Sequence, residues 1–191
     1  LSTKDMDELI SLQAERRHED FMIFPILQLR TLESVQLLHR IYSNRDMKAN
    51  ARIYYNAPRG RWYHESWKGN EEKSGGLIFN IGVHLIDMAC YIWGIPKSVE
   101  IVSKTSDEVE GYLHFGNGGS CGFSLSICHN PSGYNNGCRF MRVDDSEISL
   151  DGPMITNGHI NAYNGIFGCE YPTLEDAMIS IDVCEGIRRM I

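Results

Sequence analysis

Between Val99 and Gly152 apolar and polar residues alternate or gather in short bursts, VEIVSKTS, EVEGYLHFG, GSCGFSLSI, CRFMRVDD and SEISLDG, separated by turns such as Asn117-Gly118. Period-two patterning bounded by Gly and Asn predicts strand after strand. On either side the period becomes helical. Met6, Leu9, Ile10 and Gln13 follow Ser2 and Thr3, either of which can cap, with Asp5 and Asp7 in the first turn and an end near His18. Val35, Leu37, Leu38 and Ile41 mark a second helix starting at Thr31. Ala177, Ile181, Cys184 and Ile187 mark a last one, opened by Thr173, Glu175 and Asp176 and closed by Arg188 and Arg189, which suit the helix dipole. FMIFPILQLR, Phe21 to Arg30, is short and apolar and reads as a buried strand, with Pro25 weighing against a central position. Lys48 to Asn56 reads as another strand. Ile81 to Trp93 is a helix closed by Gly94 and Pro96.

Strands in succession flanked by helices predict an α+β domain, one largely antiparallel sheet with helices on one face. The 191 residues, 42% hydrophobic and 23% charged, suit one globular domain with a real core. No apolar run approaches membrane-spanning length, and LSTKDMDEL lacks a signal peptide's basic and apolar regions, so the expectation is a cytoplasmic protein without a membrane partner. A net charge of −7 argues against nucleic acid. Six scattered cysteines form no C-x-x-C and no metal spacing; most read as small buried apolar residues, and disulfides are left open.

Chemistry enters with SWKGNEEKSGGLIFNIGVHLIDMACYIWG, Ser66 to Gly94. If Asn80 caps the helix, His84 lies in its first turns, where the dipole disfavours imidazolium; a neutral ring can take a hydroxyl proton. Asp87, three residues on, could orient that ring. A partly buried histidine bonded to backbone is the commoner state for such a residue. Pro58 to Gly76 reads as a long loop in which Arg59, Arg61, Trp62, Tyr63, Lys68 and Lys73 gather, with Arg30 at the end of the first apolar run. Cations beside aromatics suit an anionic, ring-bearing ligand, although a solvated loop would carry the same residues. His159 and Tyr163, at helical i, i+4 spacing in NGHINAYNG, could reach a ligand or simply make structural hydrogen bonds. The remaining histidines give no metal spacing, and no G-x-G-x-x-G or P-loop is present.

The Ser66 to Gly94 stretch, with ILQLR at Ile26 to Arg30, RGRWYHESWKG at Arg59 to Gly69 and the run from His159 through LEDAMISIDVCEGIRR, resembles the C-terminal domain of the oxidoreductases grouped as glucose-fructose oxidoreductase, inositol dehydrogenase and MocA. Within that family it is most similar to the bacterial WlbA and WbpB type, which oxidise UDP-N-acetyl-D-glucosaminuronic acid at the C3 hydroxyl for surface-polysaccharide synthesis. The resemblance implies an open, mostly antiparallel, glyceraldehyde-3-phosphate dehydrogenase-like sheet whose free face makes a homo-oligomer. It implies that residues 1–191 are a substrate-binding domain truncated after an NAD-binding Rossmann half, which would also carry a Glu-Lys-Pro lysine. It further implies that His84 is catalytic, that Asn80 orients substrate through its amide, and that Arg30, Lys68, His159 and Tyr163 line a UDP-sugar, with NAD bound mainly by the absent half and no metal. The family's QLR is commonly followed by Leu-His-Pro; here Thr31, Leu32, Glu33 and Ser34 follow, so that wall of the site differs. Such a chain alone should not transfer hydride. A non-catalytic sugar-binding or oligomerisation module, or another sugar or inositol dehydrogenase of the same family, are the rival readings.

Overall fold

The computed structural model describes residues 2–19, 21–43, 47–128, 137–150, 153–168 and 171–190, at 153–156 for the backbone alone. Six strands form one sheet: β1 (Asn50–Asn56), β2 (Pro96–Lys104), β3 (Glu108–Phe115), β4 (Ser120–Ser126), β5 (Arg139–Val143) and β6 (Ser146–Ser149). Their order is β2-β3-β4-β1-β5-β6. The β1–β4 pair is parallel, with Asn50 opposite Ser120 and Asn56 opposite Ser126, and the other neighbours are antiparallel. The α+β architecture with an open sheet and helices on one face follows the pattern of the sequence.

Alternation decides which face is covered. In β3, Val109, Leu113 and Phe115 are buried while Glu108, Glu110, Tyr112 and His114 lie on the other face, half-buried. The apolar face takes α5 (Val83–Trp93), whose Leu85, Ile86, Met88, Ala89 and Ile92 pack with Ile53, Phe123, Leu125 and Met141 in one core. Val183, Cys184 and Ile187 of α7 (Leu174–Arg189) join it. A smaller cluster joins Met6 of α1 (Thr3–Glu15) to Leu27, Leu174, Ala177 and Ile181. Both α1 and α7 open on capping boxes, Ser2 with Asp5 and Thr173 with Asp176, so the two sequence-predicted N-termini are satisfied by side chains.

Four expectations are corrected. Phe21 to Arg30 is not a strand: residues 21–27 are irregular and Gln28–Thr31 is a 3-10 turn. Its backbone donors go to side chains instead of a ladder, Ile23 N–H to Gln13 Oε1 at 2.6 Å and Leu27 N–H to the Tyr171 hydroxyl at 2.7 Å. The second helix, α2, spans Glu33–Tyr42 rather than starting at Thr31, which closes the 3-10 turn. Pro58 to Gly76 is not an unstructured loop but carries α3 (Arg61–Glu65), a 3-10 turn (Trp67–Gly69) and α4 (Glu71–Ser74). Ser66 and Asn70 cap the last two through hydrogen bonds from the Lys68 and Lys73 N–H groups. Finally, Glu71–Trp93 is a helical segment of 23 residues, long and apolar enough to cross a membrane. Its apolar side chains are spent on the sheet and α7, as in a core helix.

Cys90, Cys121 and Cys184 are buried free thiols, and burial pushes Cys90 up to about 12. Cys169 lies outside the described residues.

Candidate active site

The segment before α5 differs from the expected cap. Gly75 adopts φ 78°, closing α4 with a left-handed residue, and a Cβ there would stand 2.7 Å from the Phe79 ring. The chain then enters one turn of π-helix, Ile78–Gly82, before α5 begins. Asn80 therefore sits inside a wide helical turn and caps nothing. Its Nδ2 donates to the Tyr63 hydroxyl at 3.2 Å and to the Lys68 carbonyl at 3.0 Å. Both amide hydrogens are thus spent on the protein, and Oδ1 is the end left for a ligand. A single π turn inside an α-helix is uncommon and recurs at functional sites.

His84 follows the π turn and opens on a pocket of about 90 Å³ lined by Gln28, Leu29, Tyr55, Arg59, Asn80, Ile81, His84 and Leu85. Among the described residues its ring nitrogens have no hydrogen-bond partner, so it is not the backbone-bonded histidine that such a position more commonly holds. Burial lowers its pKa below 6.5, Asp87 works in the opposite sense, and the charge of His159 adds to the lowering. The neutral ring expected from the helix dipole is therefore obtained chiefly by desolvation.

Asp87 does not orient that ring. It is 1% exposed, and its two oxygens accept from Arg30, Oδ2 from Nε at 2.9 Å and Oδ1 from Nη2 at 2.7 Å. The Arg30 Nη2 also donates to the Asp176 carbonyl at 3.3 Å, and its Cζ lies 5.1 Å over the Tyr91 ring. Burial opposes the Arg30 charge, but the hydrogen bonds and attraction of Asp87 outweigh it and raise its pKa. Arg30 thus ties the 3-10 turn to α5 and α7. That is a different use from the substrate clamp the sequence suggested.

The 3-10 turn is also fixed from α6 (Pro153–Phe167). The single Thr31 Oγ1 hydrogen is shared between the Gln28 carbonyl at 2.8 Å and the Gly158 carbonyl at 3.2 Å. A Cβ on Gly158 would meet the Gln28 carbonyl at 3.1 Å, so the glycine sets how closely α6 approaches. One residue on, His159 is exposed and near enough for its charge to act on His84; Tyr163, a turn later, is exposed on the same helix. A Gly158→Val variant should lose about 1–3 kcal/mol through overpacking against the turn, read by urea unfolding. Stability equal to the parent would mean α6 is free to move aside.

Lys68 contributes its carbonyl rather than its ammonium. The Nζ lies 5.9 Å from the Trp67 ring centroid, and the residue lines a separate hollow with Tyr63, His64 and Lys104. Arg61 reaches Glu65 on its own helix at 3.5 Å. The cation that shares the His84 pocket is Arg59, which has no ion pair among the described residues. Tyr55 and Gln28 are lining residues that the sequence reading passed over: Tyr55 is next to last in β1 and Gln28 stood in a supposed strand, so neither showed a periodic signal.

Residues 47–143 match the family described as "Oxidoreductase family, C-terminal alpha/beta domain". The chain is similar to the WlbA (WbpB) dehydrogenase from Thermus thermophilus in complex with NAD and alpha-ketoglutarate, at 28% identity and a TM-score of 0.88 over 100% of this chain and 62% of that one. For the same dehydrogenase in complex with NAD and UDP-GlcNAcA the values are 28% and 0.85, over 98% and 61%. The WlbA dehydrogenase from Bordetella pertussis, in complex with NADH and UDP-GlcNAcA, shares the fold at 16% identity and a TM-score of 0.74, over 98% and 65%. The chain therefore spans less than two thirds of the length of these relatives.

Proposed function

Because this chain belongs to the Gfo/Idh/MocA oxidoreductase family through its C-terminal α/β domain, we propose that it is the sugar-binding part of an NAD-dependent dehydrogenase. The reaction proposed is oxidation of the C3 hydroxyl of a UDP-linked N-acetylaminouronic acid, a step towards bacterial surface polysaccharide. The observation that carries this reading is the pocket shared by a neutral His84, Asn80 and Arg59, in which His84 has no hydrogen-bond partner and Arg59 no ion pair among the described residues. A neutral imidazole accepts the proton that a carbinol must lose when it becomes a ketone. The Asn80 oxygen takes a hydrogen bond from a neighbouring donor, and Arg59 complements a carboxylate or phosphate. His159 and Tyr163 would border the sugar from α6. Arg30 holds the wall on which Gln28 and Leu29 stand.

The sequence has no glycine fingerprint between a strand and a helix, so these residues do not form a dinucleotide cradle. NAD would be held by a part of the enzyme outside this chain, and the domain alone should be inactive. The sheet face away from α5, which carries Arg52, Tyr54 and Tyr112, is the proposed contact with a second copy. The test is reduction of NAD by the intact protein. UDP-N-acetylglucosaminuronic acid should be oxidised with a kcat/KM roughly 10–100-fold above that for the uncharged-ring sugar UDP-N-acetylglucosamine, the worth of one charge-assisted hydrogen bond. No oxidation of either nucleotide sugar would defeat the proposal.

A further inference from the structure

Gln28 has a buried polar end. The residue is 8% exposed, its carboxamide Oε1 is buried without a partner among the described residues, and it lines the pocket that holds His84 and Asn80. Buried carbonyl oxygens in folded proteins are nearly always paired, and the exceptions ask for an explanation. The turn that carries it is held in place from behind. Its own backbone carbonyl is fastened by Thr31 Oγ1 at 2.8 Å, Gly158 packs against its Cβ side, and the Arg30–Asp87 ion pair anchors the same turn. A surface glutamine could swing its amide out to water; this one stands 8% exposed on a turn whose backbone is pinned at the pocket wall.

We propose, building on the dehydrogenase reading, that Gln28 is a specificity-determining residue whose Oε1 accepts a hydrogen bond from an N–H or O–H on a sugar carbon next to the one oxidised. The chemistry of the pocket favours this division of work. It offers two acceptors, Gln28 Oε1 and Asn80 Oδ1, beside the cation Arg59, which has no ion pair among the described residues. The complementary ligand carries two donors and an anionic group near a carbinol. In a UDP-linked N-acetylaminouronic acid the donor for Gln28 is either the acetamido N–H at C2 or the hydroxyl at C4. A site made to pair with such a donor penalises an analogue without it, because its own buried oxygen is then left bare.

The test uses the intact protein with NAD and three substrates: the parent sugar nucleotide, its 2-deoxy analogue without the acetamido group, and its 4-deoxy analogue. Wild-type kcat/KM should fall roughly 10–100-fold for the analogue that lacks the Gln28 donor. A Gln28→Met variant should lose a similar factor on the parent sugar and almost nothing further on that analogue, with the loss in KM and kcat together. A general structural defect would lower all three substrates alike. Equal wild-type turnover of all three overturns the assignment even where Gln28→Met does not fold, and so does a variant whose losses are the same on every substrate. In both cases oxidation of the parent sugar leaves the dehydrogenase reading standing. Absence of any wild-type oxidation removes both.

Discussion

An Asp87→Ala variant should lose about 3–5 kcal/mol of unfolding free energy, the cost of leaving one member of a buried ion pair without its partner. Asp87 is 1% exposed and the Arg30 side chain 11%, so neither charge can turn to water when the other is removed. The guanidinium would remain between the Tyr91 ring and the Asp176 carbonyl with two of its donors unused. Urea unfolding should show the midpoint falling with the slope unchanged. Salt should rescue little, since screening acts on exposed charges. The double variant Arg30→Met, Asp87→Leu should recover most of the loss, because an apolar pair of similar size avoids the desolvation of both charges. A loss for Asp87→Ala within about 0.5 kcal/mol, the range of an ordinary surface change, would show that the pair carries no weight.

The second large effect is on turnover. In the intact protein, His84→Ala should lower kcat for the sugar nucleotide roughly 10²–10⁴-fold, the usual worth of a positioned acid–base group. The pH dependence identifies the group. Burial lowers the pKa of His84 from 6.5, so the ring is neutral at pH 7 and gains a proton only on acidification beyond its ordinary range. The acid limb of the wild-type profile should therefore fall below pH 6.5, and the variant should lack it. Stability carries the same sign. The folded state holds fewer protons on His84 than the unfolded chain, so its contribution is complete above the unfolded pKa of about 6.5 and is lost as pH falls through the lower folded value. Equal turnover with an unchanged acid limb would remove His84 from the reaction.

The strands were legible because β3 alternates cleanly and its neighbours are short apolar bursts between turns, and the terminal helices because Ser2-Asp5 and Thr173-Asp176 are reciprocal caps visible at fixed spacing. The site was legible as residue types and less so as geometry. His84 and Asn80 reach the pocket, whereas the cation beside them is Arg59 rather than Arg30 or Lys68. Nothing local distinguishes an arginine that meets a substrate from one that meets Asp87, which lies 57 residues along the chain. Gln28 was hidden for a related reason: its turn is set by the Tyr171 hydroxyl and by Gly158, both distant in sequence. The π turn that aims Asn80 is likewise invisible to a 3.6-residue period.

The parallel pairing of β1 with β4 also bears on how the domain reaches this state. Asn50 meets Ser120 only after α3, α4, α5, β2 and β3 have been threaded between them. The antiparallel β2–β3 and β3–β4 ladders close over much shorter stretches of chain. Loop-closure entropy therefore favours the three-stranded β2–β3–β4 meander as the early nucleus and delays the seam that joins it to β1, β5 and β6. His84, the proposed base, lies in the stretch of chain between β1 and β2 that spans the seam, and its pocket takes Tyr55 from the late-joining β1.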